Sequence, residues 1–248
     1  MSTSIQPTRT SVVSSNFHVS NVKEKKNDLK GHSSAILINK KNKQAVATLI
    51  TQTIKKSLDE EMIDLIQSYI TVRLTSLIRN SFNVDKLLSI GSKSSDLVGF
   101  DFNTSSLFKD TVNSKIFVRG GSHNGYAILH VPAFVPEFKL GIPDEATNFK
   151  ICTKLVAISD FEYSEEMKSY SPMNKESHAA YGTFETNMLP VLKMQTQPIT
   201  SQICINRCEP LGQDVHTILV MAIKFYNHQK GKFTHLADKG TMKVMNVF

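Results

Sequence analysis

Apolar residues first recur with helical spacing between residues 44 and 56, at Val46, Leu49, Ile50 and Ile54. A longer stripe follows at Met62, Leu65, Ile66, Tyr69, Leu74, Leu77 and Ile78, an i, i+3, i+4, i+7 pattern that predicts a second amphipathic helix. Between the two, Ser57-Leu58-Asp59-Glu60 has the form of a capping box. In that motif the Ser57 hydroxyl accepts from the Glu60 N–H while the Glu60 carboxylate reaches back. Lys55 and Lys56 would close the first helix, and Asp59, Glu60 and Glu61 would open the second, each sign matching its end of the helix dipole. The pattern predicts two helices joined by a tight kink.

After Gly91 the pattern changes to alternating and β-branched runs separated by turn residues. Strands are predicted at 97–102, 115–119, 126–131, 149–158, 181–186, 202–206, 216–226, 232–236 and 242–248. The runs 216–226 and 232–236 would pair as a hairpin around His228-Gln229-Lys230-Gly231. No helical pattern is interleaved, which argues against a parallel sheet and for antiparallel strands that each bury one face. The expected fold is α+β: an N-terminal helical hairpin packed on a C-terminal antiparallel β-sandwich. The expected division is a flexible basic arm over residues 1–43, the hairpin over 44–90 and the sandwich body over 91–248. No internal repeat is visible.

Charge sharpens that division. The 248 residues carry a net +7, and residues 1–43 hold eight basic side chains (Arg9, Lys23, Lys25, Lys26, Lys30, Lys40, Lys41, Lys43) against Glu24 and Asp28. The arm is therefore +6 and the rest of the chain nearly neutral, so the basic pI says little about the body. Three cysteines, Cys152, Cys204 and Cys208, form no disulfide framework and point to a reducing compartment. Neither a signal peptide nor a membrane-length apolar run is apparent, the longest being Ile218–Ile223. The expected location is cytoplasmic, with no membrane partner.

Candidate chemistry is sparse. Cys204 and Cys208 make one close pair, and zinc needs two such pairs or their equivalent. The eight histidines are scattered, and His130 reads as a strand residue. No G-x-S-x-G turn exposes a serine, and Glu165-Glu166 sits in a polar stretch, 164–175, that reads as a surface loop. The glycine-rich run 119–125 lacks phosphate-loop spacing and reads as a hairpin loop. No catalytic, cofactor-binding or metal-binding residue is assigned, no small-molecule substrate is identified, and no enzyme is expected.

Two kinds of partner remain. The run Ala35-Ile36-Leu37-Ile38 and the final strand, with Val244, Val247 and Phe248, are candidate contacts for self-association by strand addition. Lys23, Lys25, Lys26, Lys40, Lys41 and Lys43 are candidate phosphate contacts, although the arm offers only Phe17 for stacking on bases. The expected function is that of a non-enzymatic structural or interaction protein forming a homo-oligomer. The alternative is a nucleic-acid-associated accessory protein that binds through the arm.

Several segments carry a family resemblance. They are the helix pair around Ala45–Ile78, Gly99-Phe100-Asp101-Phe102-Asn103, His130-Val131-Pro132-Ala133-Phe134-Val135-Pro136, Ala146-Thr147-Asn148-Phe149-Lys150, Ile223-Lys224-Phe225-Tyr226 and 242–248. In that order the chain, over residues 40–248, resembles an uncharacterised family of bacterial proteins of about this length found in Bacteroidota. The resemblance implies a bacterial source and a single architecture, and it assigns no activity or functional residue.

Overall fold

A computed structural model describes residues 40–82, 87–121, 125–206 and 210–248. Lys41–Phe248 cluster as one compact unit. The chain is a mixture of helices and antiparallel sheets. Helix α1 spans 40–57, α2 Glu60–Ile63 and α3 Ser68–Ser81. Thr75 Oγ1 donates to Thr51 Oγ1 (3.0 Å) and Arg79 Nη1 to Gln44 Oε1 (3.1 Å), so α1 and α3 touch while running in opposite directions.

The break between helices differs in detail from the expected capping box. Ser57 Oγ donates backwards to Ile54 O (2.6 Å), a bond that closes α1. The cap of α2 is Asp59, whose Oδ1 accepts from the Met62 N–H at 2.9 Å. A carboxylate there also suits the positive end of the helix dipole. The single stripe expected from Met62 to Ile78 is interrupted at 64–67. Gln67 is extended and its amide oxygen accepts from Thr104 Oγ1 at 2.7 Å, while Leu65 is buried. These tertiary contacts override the helical pattern.

The strands are β1 (Leu87–Leu88), β2 (Phe117–Gly121), β3 (Tyr126–Val131), β4 (Asn148–Ser159), β5 (Phe161–Ser164), β6 (Ser169–Pro172), β7 (Tyr181–Glu185), β8 (Leu189–Pro190), β9 (Ile199–Cys204), β10 (Val215–Gln229), β11 (Lys232–His235) and β12 (Thr241–Val247). Short helices α4 (Ser94–Leu97), α5 (Phe108–Thr111) and α6 (Pro136–Lys139) punctuate the connections. Among the described residues the strands form three sheets: β1-β5-β6, β2-β3-β9, and a central β11-β10-β4-β7 to which β12 and β8 add through β10 and β4. Every pairing is antiparallel.

The central strands are buried on both faces, which departs from the one-faced expectation and explains their unbroken apolar runs. Cys152, Val156, Ile158, Ile218, Val220 and Ala222 join a core with α1 and α3. Their neighbours Phe149, Ile151, Leu155, Leu219, Met221 and Phe225 join a second core with β3 and β9. Alternation across the pleat thus feeds two cores from one pair of strands. Gly182 marks how closely β7 approaches β9, since a Cβ there would lie 2.1 Å from Cys204 O.

Two other expectations change. The stretch 97–102 is no sheet strand: α4 ends at Leu97, Gly99 turns the chain at φ +90°, and the backbone then runs beside β12. Gly99 N–H donates to Val244 O, Val244 N–H to Phe100 O and Phe102 N–H to Met242 O. The polar stretch 164–175 is no simple loop, because β5 and β6 pair across it and leave Glu165 and Glu166 exposed near the turn. The predicted hairpin is present, with Lys230 and Gly231 both at positive φ between the paired Gln229 and Lys232. Two consecutive positive φ values make the tight turn that matches strand twist.

Candidate functional site

The helix-facing side of the central sheet is apolar until its last rows, where charge appears. Lys154 on β4 and Lys224 on β10 point to that side with Cys152 and Tyr226, following the pleat. Lys224 is only 1% exposed. Its Nζ lies 2.7 Å from Glu61 Oε2 and 3.5 Å from both Asp59 Oδ1 and Glu185 Oε2. Tyr226 OH donates to the same Glu61 oxygen at 2.6 Å. Lys154 reaches Asp59 at 3.8 Å, and Lys150 pairs with Glu185. Three lysines meet three carboxylates, so the cluster is electrically balanced.

Each titration shift follows from this arrangement. Burial works against the Lys224 ammonium, but the charge interactions with Cys152, Tyr226 and Asp59 and the hydrogen bond to Glu61 together outweigh burial and raise its pKa. Burial would raise the Glu61 carboxyl, and the bonds from Lys224 and Tyr226 bring it below its usual range. The same balance, with Lys150 as the main donor, lowers Glu185. Burial pushes the Cys152 thiol up to about 12, so this sulfur stays protonated and unreactive. Tyr226 is raised by burial and by its bond to a carboxylate. The cluster thus holds fixed charges. It can clamp α2, through Asp59 and Glu61, onto β4, β7 and β10.

A second polar group lies at the opposite end of the central sheet. Ser89 Oγ is 3.0 Å from His216 Nε2, and Asp160 Oδ1 is 3.3 Å from that same nitrogen. A serine–histidine–carboxylate relay needs the carboxylate on Nδ1, where it orients the ring that takes the serine proton on Nε2. Here hydroxyl and carboxylate compete for one nitrogen, and Ser89 Oγ also accepts from the Gly91 N–H at 3.1 Å. The glycine is required: a Cβ at Gly91 would sit 2.2 Å from the imidazole. Close by, Ser159 N–H donates to His178 Nδ1 (3.4 Å), and burial lowers the His178 pKa. These contacts fasten the 87–91 segment and the β6–β7 connection to the sheet end.

Surface hollows lie among the described residues. One of about 380 Å³ is lined by Glu145, Asn227, Gln229, Thr234 and Asp238 among others, and one of about 340 Å³ lies between α1 and α3. Lys224, Cys152 and His216 line neither. Among the described residues no group of three or more histidine, cysteine or acidic side chains could hold a metal ion. Among them, too, no helix is long and apolar enough to cross a membrane.

The sequence-predicted contacts fall as follows. Ala35–Ile38, Lys23, Lys25 and Lys26 lie outside the described residues, as does Cys208. Lys40, Lys41 and Lys43 occupy the first turn of α1. Val244 is buried; it sits in register with Val220 of β10, and its own N–H and C=O bond Phe100 and Gly99 on the other side of the strand. Val247 and Phe248 are half-buried, and the Phe248 ring packs over Gly120. Neither polar cluster was foreseen. A signal for the first existed in the isolated Lys224 within an otherwise apolar strand. No protein family, curated protein or solved structure matches the chain.

Proposed function

We propose that this chain is a non-enzymatic interaction protein that associates with copies of itself through a free sheet edge. The observation that carries the reading is β11. It ends the central sheet, pairs only with β10 among the described residues, and leaves Phe233 about half exposed (47%) beside the stacked His228 ring at 4.4 Å. An edge of this kind offers unpaired backbone groups and an aromatic anchor to a second strand. The hairpin of α1 and α3 and the sandwich of two sheets around the second core form the rigid platform behind it. The final strand contributes less than its sequence suggests, because the 99–102 segment blunts the edge at 242–244. Both polar clusters tie layers together, which leaves contact as the body's business.

Size-exclusion chromatography with light scattering tests this over a concentration series. The full chain should form an oligomer, and Phe233→Lys, which adds charge to the edge, should shift it toward monomer. A strict monomer at high concentration would remove the reading. A second reading, nucleic-acid binding through the arm, is favoured by the +6 confined to residues 1–43. Gel shift at two salt concentrations tests it, since phosphate-driven binding weakens steeply with salt.

A further inference from the structure

Among the described residues, the outer face of β2-β3-β9 is a platform of aromatic and polar side chains with no layer packed over it. Cross-strand register sets out three rows: Phe117–His130–Thr200, Arg119–Ile128–Gln202 and Gly121–Tyr126–Cys204. The alternate residues Ala127, Leu129, Val131 and Ile203 point inward to the second core, so these rows point out. Phe117 is 52% exposed, and its ring lies 6.0 Å from that of His130, tilted by 36°. His130 Nδ1 bonds Thr200 Oγ1 at 2.7 Å, which fixes the imidazole in the face. Phe117 and Tyr126 sit two rows apart, roughly 13 Å along the strands.

Arg119 is the only formally charged residue on the three strands, and they carry no carboxylate at all. We propose that this face binds single-stranded nucleic acid, with Phe117 and Tyr126 as stacking platforms, Arg119 as a phosphate or base-plane contact, and Gln202 as a base-edge donor and acceptor. An exposed ring at Phe117 and a half-buried one at Tyr126, set around a guanidinium on an otherwise uncharged sheet, offer the base faces and the cation that single strands use. Charge complementarity selects this occupant over a second copy of the chain. Two such faces brought together would oppose Arg119 to a surface with no acidic partner, whereas a phosphodiester supplies one. The basic arm, +6 over residues 1–43, would add sequence-independent attraction of its own. The proposal therefore extends the arm-based reading to the body and is tested apart from it.

The experiment is fluorescence anisotropy of the full chain with a labelled single-stranded RNA, the same sequence as DNA, and the corresponding duplex, at low and at physiological salt. Single strands should bind more tightly than duplex. Phe117→Ala and Arg119→Ala, both at exposed positions, should each weaken single-strand binding roughly ten-fold, with Phe117→Tyr restoring it and circular dichroism unchanged. Full-chain Lys23→Gln, Lys25→Gln, Lys26→Gln together should lower affinity for single strand and duplex alike and flatten the salt dependence. No binding at low salt, equal affinity for duplex, or binding that both face variants leave intact would each overturn the proposal. A change in oligomeric state on Phe117→Ala without any oligonucleotide binding would assign the face to a second copy instead.

Discussion

Replacing Lys224 by methionine removes the one cation that three carboxylates share. The side chain is 1% exposed, so its ammonium has no alternative solvent, and Met fills the volume of the stem without the charge. Removing one partner of a fully buried ion pair costs about 3–5 kcal/mol, chiefly because the other charge is stranded. Here the stranded side chains keep some water: Asp59, Glu61 and Glu185 are 33%, 38% and 35% exposed. Lys154 and Lys150 also stay beside Asp59 and Glu185. The expected loss is therefore smaller, about 2–3 kcal/mol, or roughly 5–10 °C in Tm for a body of this size. Urea unfolding followed by circular dichroism measures it, with an unchanged m-value showing that the native state keeps its compactness. The double variant Lys224→Met, Glu61→Leu should recover part of the loss, because the closest stranded carboxylate is gone. A loss below about 0.5 kcal/mol, typical of an exposed surface pair, would refute the claim that this cluster clamps α2 to the sheet.

Acid should destabilise the fold in two stages. His178 and His235 have folded pKa values held below 6.5 by burial, so the unfolded chain binds their protons first and stability falls as pH drops below 6.5. Glu61 and Glu185, lowered relative to 4.5, extend the fall through and below the carboxylate range, and urea midpoints across pH should trace both stages. A midpoint that rises on acidification would reverse the sign of these shifts. Alkylation at neutral pH, read by peptide mass spectrometry, should modify exposed Cys204 and spare Cys152, whose thiol is buried and raised to about 12. Gly182→Ala should destabilise by about 1–3 kcal/mol, because its Cβ would press on Cys204 O at 2.1 Å and part β7 from β9; a neutral effect on thermal unfolding would mean those strands are not in close contact.

Regular elements were readable where one periodicity ruled. Tyr126–Val131 alternates cleanly because only one of its faces is buried, and its predicted bounds coincide with β3. The long runs at β4 and β10 were visible as strands, but their two-sided burial was not, since an unbroken apolar run looks the same whichever layers cover it. Gly99 and Gln67 show the opposite failure: a turn and a helix break set by contacts with residues far along the chain, Val244 and Thr104. The short strands β5 and β6 carry no strand pattern because, apart from the buried Phe161, their residues are exposed or half-buried. Both polar clusters draw on residues more than a hundred positions apart, Glu61 with Lys224 and Ser89 with His216, and no local spacing encodes such a meeting.

Amide hydrogen exchange across a dilution series would weigh the idea of a protein built for contact most directly. Protection at 232–235 should rise with concentration as the outer side of β11 finds a partner, while 242–244, already bonded on both sides, should be protected at every dilution. Exchange at 232–235 that ignores concentration would contradict association through this edge.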